Sequence, residues 1–230
     1  YRYSQRVEEI QMHIGVIIGL HFLIYTIPPI LGSFFEEEIQ IYLNYVYLGI
    51  LFTLTQLFDS LYAVKLSNDF FLNGGDISYS ALIFTTLYLI TSQPEPKVVR
   101  NLIYINLIIG IFIFLMFFLI NTILGTTNVI NYLDISNMFL EFSYKSLLFS
   151  YILYSGEILI ILTLMKKWIN RIKHPFRVTI ALSGIYFVVL ILDGIIYPIG
   201  INILFPGAQF SVRYGIFAKV IFGLGFGIIL

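Results

Sequence analysis

The 230 residues are 59% hydrophobic and only 11% charged, with a mean hydropathy of +0.91 and no formal net charge. That balance excludes an ordinary soluble domain and marks an integral membrane protein. It leaves no basic surface for nucleic acid, and the absence of cysteine removes disulfides, thiolate nucleophiles and thiolate-bound metals.

In chain order, the uncharged run from Ile10 to Phe35 lies between Glu8-Glu9 and Glu36-Glu37-Glu38. It is long enough for one transmembrane helix, which Pro28-Pro29 bends or ends late. Ile39 to Phe58 predicts a second helix, continuing through Asp59 toward Lys65, whose long stem can snorkel to an interface. Ser67 to Asp76 holds Asn73-Gly74-Gly75-Asp76 and reads as a turn-rich break. A short third helix follows from Ile77 to about Gln93, closed by Pro94-Glu95-Pro96. The fourth fills most of the uncharged stretch Asn101 to Leu133 and fades at Gly125-Thr126-Thr127-Asn128. Asn131 to Tyr144 mixes apolar residues with Asp134, Asn137 and Glu141, as an interfacial helix or re-entrant connector would. The fifth helix is expected from about Ser146 to Met165, the sixth from Val178 to Gly200 and the seventh from Ser211 to Leu230.

The expected fold is all-α, a polytopic transmembrane helix bundle with a six-span core (37–230) and one additional N-terminal helix (1–36), seven spans in a single domain. Lys166, Lys167, Arg171, Lys173 and Arg177 in one loop, with Lys97 and Arg100 in another, place both loops in the cytoplasm. The N-terminus then lies outside the plasma membrane and the C-terminus inside. Because the sequence opens on Tyr1 and closes within an apolar run at Leu230, it reads as an excerpt of a longer protein.

Charges inside such runs cost a few kcal/mol on insertion scales, so they face a bundle interior, pair, or line a polar cavity. Asp193 is the one carboxylate between Tyr186 and Gly200, and Lys219 the one amine between Tyr214 and Leu230. Helical periodicity places Ser183, Tyr186, Asp193 and Tyr197 on one stripe. It places Lys219 on a stripe of small residues, Gly215, Gly223 and Gly227, that favours close packing. Ser146, Ser150, Tyr154 and Glu157 align on the fifth helix, and Thr55, Asp59 and Tyr62 on the second. Asp193, Lys219, Glu157, Asp59, Tyr186 and Tyr197 are therefore the candidate ligand-binding or sensing residues, with Asp193 and Lys219 expected to pair. A buried pair that only fixes helix register is the plainer alternative. His13 and His21 lack carboxylate or cysteine company and read as structural, and Trp168 as an interface anchor.

Gly223-Leu224-Gly225-Phe226-Gly227 follows no strand and is no dinucleotide fingerprint, and Gly74-Gly75-Asp76 sits in a turn rather than a cyclase loop. No hydrolase, P-loop or metalloprotease pattern exists, so neither catalysis, cofactor nor metal is expected.

Asn73-Gly74-Gly75 opening a short apolar helix, Glu95 before Arg100-Asn101-Leu102-Ile103-Tyr104, then Leu192-Asp193-Gly194-Ile195-Ile196-Tyr197, and finally Lys219 in a closing helix form an ordered set. It resembles the multi-pass sensor modules at the N-terminus of histidine kinases and diguanylate cyclases. More distantly, from about Tyr47 to Leu230, it resembles the six-span vitamin-uptake-like transporters of queuosine precursors. The transporter likeness implies a central cavity for a small polar, nucleobase-like solute, with Asp193 and Lys219 at matching positions. Where those transporters carry Thr-Asp and a following Glu, this chain has Thr85-Thr86-Leu87-Tyr88 and no acid until Glu95, and the additional first helix suits the sensor modules better. The expected role is a non-enzymatic sensory input domain, homodimeric in the lipid bilayer, that relays a small ligand or membrane signal through the last helix to a cytoplasmic output domain in cis. Secondary transport of a small polar compound is the alternative.

Overall fold

The computed structural model describes residues 14–65, 71–93, 95–126, 137–169, 172, 174–206 and 211–227. Seven helices appear among them: α1 (Ile14–Gly32), α2 (Glu37–Leu61), α3 (Gly74–Ser92), α4 (Pro96–Leu124), α5 (Asn137–Trp168), α6 (Pro175–Leu204) and α7 (Val212–Gly227). Four contain segments long and apolar enough to cross a bilayer: Glu37–Asp59, Pro96–Leu124, Glu141–Trp168 and Phe176–Leu204. The expected helical bundle is present, with four membrane-length helices among the described residues.

Local chemistry sets the boundaries. Pro96 occupies the first turn of α4, where a missing N–H costs no helical bond, so this helix begins five residues before the expected start. The expected extension of α2 toward Lys65 is replaced by a strand. Tyr62 turns to extended backbone, its carbonyl accepts from Gly74 N at 3.1 Å, and Ala63–Lys65 (β1) pairs antiparallel with Phe71–Asn73 (β2). The all-α architecture holds, with a small two-stranded ribbon between α2 and α3 as a local addition. Of the interfacial helix or re-entrant connector expected over Asn131 to Tyr144, the residues from Asn137 onward are helical but continuous with α5, where Glu141 and Lys145 pair one turn apart. Positions 131–136 lie outside the described residues.

Helix α3 is the axle of the bundle. Fifteen of its nineteen residues are buried, leaving no lipid-facing stripe, and it contacts α1, α2, α6 and α7. Its hydroxyls suit that position: Ser78, Ser80, Thr85 and Thr86 each donate to the carbonyl four residues back, satisfying themselves within the helix. The opposite extreme is α4, with only 17% of its span buried and Tyr104, Ile108, Phe112 and Leu115 facing outward. Helix α1 docks on the bundle through Tyr47 Oη, which donates to the Tyr25 carbonyl at 2.7 Å, and through Phe22, whose ring lies 4.6 Å from that of Phe226.

Candidate functional site, a buried ion cluster

The site starts from two helices in backbone contact. A Cβ on Gly194 would meet Ile216 Cα at 3.1 Å, and one on Gly215 would meet the Gly194 carbonyl oxygen at 3.0 Å. With no side chain between them, α6 and α7 bring Asp193, next to the first glycine, against Lys219, one turn beyond the second. The expected pair is present: Lys219 Nζ lies 2.7 Å from Asp193 Oδ2, with the residues 3% and 1% exposed.

Lys219 has a second carboxylate that the sequence reading did not assign. Asp76 Oδ1 lies 3.0 Å from Nζ, and the Tyr79 ring centroid lies 4.2 Å away, within cation–π range. Both belong to α3. Asn73 caps that helix by accepting from Gly75 N–H, so Asp76 stands in its first turn rather than in a loop. An acid three residues after an Asn cap is a helix-start signature. That signal could have put Asp76 on the helix face it shares with Tyr79.

Asp59 is held by neutral donors instead. Tyr197 Oη donates to Oδ2 at 2.6 Å and Asn73 Nδ2 to Oδ1 at 2.6 Å, so one carboxylate ties α2, the α3 cap and α6 together. Gly75 permits that closeness, since a Cβ there would stand 2.8 Å from Asp59 Cβ and 2.9 Å from the Thr55 carbonyl oxygen. Glu157, 1% exposed on α5, accepts from Tyr79 Oη through Oε2.

Thr55, Asp59, Gly75, Asp76, Tyr79, Ser150, Leu153, Asp193, Tyr197 and Lys219 line one chamber. Four of the six sequence candidates, Asp59, Asp193, Tyr197 and Lys219, thus meet at it. Glu157 stands behind Tyr79. Tyr186 lies apart: it is fully buried, donates to the Ser80 carbonyl at 3.0 Å and packs against Phe84. The chamber's cavity volume is about 10 Å³. It has room for about one water. Ser150 Oγ at the chamber has no hydrogen-bond partner among the described residues, whereas Glu157 and Asp193 lie within hydrogen-bonding reach of one another. The described residues hold no group of three acid or histidine side chains arranged to bind a metal.

A family model described as vitamin uptake-like sensor matches residues 35–230. The chain belongs to that family. No curated protein and no solved structure matches it. The match begins between α1 and α2, so every chamber residue lies in the part this vitamin uptake-like sensor shares with its family. The bonds of α1 to the core, His21 Nε2 to Tyr62 Oη at 2.7 Å and Tyr25 Oη to Ser78 Oγ at 3.2 Å, reach the ribbon end of the bundle from outside that shared region.

Proposed function

We propose that this vitamin uptake-like sensor is the ligand-binding input module of a signalling protein, non-enzymatic in itself, and that α7 relays the state of the chamber to a cytoplasmic output domain of the histidine kinase or diguanylate cyclase type. The observation that carries this reading is the double grip on Lys219. One ammonium on α7 is held by Asp76 of α3 and Asp193 of α6, so any ligand that competes for either acid alters how α7 is seated. A chamber that admits about one water must move its helices to accept anything larger, and a ligand shifts the equilibrium by as much as it prefers the opened packing.

The basic loops supply the direction. With Lys97, Arg100, Lys166 and Lys167 in the cytoplasm, the end of α2, the start of α3 and the ribbon lie toward the outer face of the plasma membrane, and the end of α7 points inward. The outward faces of α4 meet lipid or a second copy of the chain.

The test joins a reporter kinase after Leu230 and follows its autophosphorylation in membrane vesicles, with solute flux measured in parallel. The sensor reading expects Asp193→Asn and Lys219→Met to lock or abolish the kinase response without any flux in either form. Solute flux that Asp193→Asn removes, with kinase output indifferent to both substitutions, would establish the transporter alternative instead.

A further inference from the structure

We propose that α1 is a regulatory clamp on α7: a docking surface on the last helix, notched at Gly225, takes the Phe22 ring of α1, and while it is occupied the bundle is held in its closed packing. The proposal rests on the sensor reading and adds to it a second control, the seating of α1, at a place apart from the chamber.

Helix α1 lies along the bundle by one narrow seam. Its buried residues Tyr25, Pro29 and Gly32 fall four and three positions apart, and the half-buried Ile18 and Phe22 continue that alternation toward its N-terminus, the spacing of a helix that meets its partner on a single stripe. Its other faces are open, with Leu20, Leu23, Ile24, Ile27 and Leu31 exposed.

Helix α7 is shaped to receive that seam. Gly223 and Gly225 are two residues apart, so they stand about 200° round the helix from one another. A Cβ on Gly223 would lie 2.9 Å from Phe187 Cε1 of α6, whereas one on Gly225 would run into the Phe22 ring. The glycine-rich run Gly223-Leu224-Gly225-Phe226-Gly227 thus serves two neighbours on two faces. Phe22 fills the second notch, its ring 5.7 Å from that of Phe222 and 4.6 Å from that of Phe226. The same stretch of α1 holds α2 and α3. His21 Nε2 lies 2.7 Å from Tyr62 Oη, and Tyr25 Oη 3.2 Å from Ser78 Oγ. Tyr62 follows the end of α2, three residues after Asp59, and its ring is laid against Gly74; Ser78 stands two residues after Asp76.

These few residues of α1 therefore bridge the helices that carry Asp59 and Asp76 to the helix that carries Lys219. A chamber with room for about one water opens only if those helices part, and α1 spans them. Its simultaneous contacts with both sides favour the closed packing over any open one, so a docked α1 sets how far the equilibrium must be pulled before α7 moves. The family match begins at residue 35, beyond α1. The clamp acts on the matched core from outside it.

Because the chain lacks cysteine, Ser150→Cys on the chamber wall reports opening through its rate of reaction with hydroxyethyl methanethiosulfonate, measured on purified full chain in lipid nanodiscs. Where reclosing outpaces the reaction, that rate follows the population of the open form. Phe22→Ala should raise it by about tenfold, which corresponds to a loss of about 1.4 kcal/mol from the closed packing. Gly225→Ala, which fills the notch and leaves α1 whole, should raise it too, and it carries the test if Phe22→Ala misfolds. Ile24→Ala, on the exposed face of α1, should leave the rate as it is. Rates in Phe22→Ala and Gly225→Ala equal to that of the Ser150→Cys background overturn the clamp, as does a rise that Ile24→Ala reproduces. A kinase reporter joined after Leu230 separates the two readings: faster labelling with a shifted output supports both, whereas faster labelling with an unmoved output leaves the clamp standing and counts against the sensor reading alone.

Discussion

Lys219 is the residue on which the cluster depends, because it offsets two carboxylates that have no other cation among the described residues. At an effective dielectric near 20, unit charges about 4 Å apart attract by about 4 kcal/mol, comparable to the roughly 3 kcal/mol that insertion scales assign to one charged side chain at the bilayer centre. Lys219→Met therefore leaves Asp193 buried without compensation. It should destabilise the chain by about 3–5 kcal/mol, read as a fall in the denaturant midpoint of detergent-solubilised protein. Asp193→Asn should cost less, because Lys219 retains Asp76 at 3.0 Å. Adding Asp193→Asn to Lys219→Met should restore most of the lost stability, and a double variant as unstable as Lys219→Met alone would show that the pair does not act as a unit. Ser150→Ala should hold stability or raise it by about 1 kcal/mol, because it removes a buried hydroxyl that has no hydrogen-bond partner among the described residues.

Two close helix approaches position the cluster, α6 on α7 through Gly194 and Gly215, and α2 on the start of α3 through Gly75. Gly194→Val or Gly215→Val should separate the helices and cost about 1–3 kcal/mol by overpacking, read as a lower melting point. Gly184→Ala is the control. A Cβ there has open space, so it should be neutral or raise stability by up to about 1 kcal/mol. The glycine spacing on α7 and the lone charges were readable in the sequence because both are local signals written against an apolar background. Asp76 was not, since its meaning depends on a lysine far along the chain, and Gly74-Gly75 beside it looks like a turn until Asn73 is seen to cap a helix. The ribbon escaped notice for a similar reason: Ala63–Lys65 becomes a strand only by pairing with Phe71–Asn73. The start of α5 was hidden by polar residues, among them Glu141, whose i,i+4 pairing with Lys145 suits a helix as well as an interface.

Across the whole bundle, α3 and α7 run in the same direction and touch at two levels. Lys219 sits beside Asp76 and Tyr79 at one, and the Phe226 ring lies 5.4 Å from that of Phe84 at the other. The chamber end and the far end of α7 are thus joined by one short rod seated on a buried helix, and Phe22 of α1 closes over Phe226 from the side. The orientation proposed for this rod is open to labelling, which the absence of native cysteine makes clean. Thr126→Cys should react with an impermeant maleimide in intact cells and Lys167→Cys only after permeabilisation; the reverse pattern would invert the path of the signal. The most direct test of the central claim, that the grip on Lys219 sets the seating of α7, is a distance measurement between spin labels at Ser92→Cys and Leu224→Cys, both exposed positions near the far ends of α3 and α7. Lys219→Met should shift or broaden that distance distribution relative to the chain with Lys219 intact, and an identical distribution in the two would contradict the account.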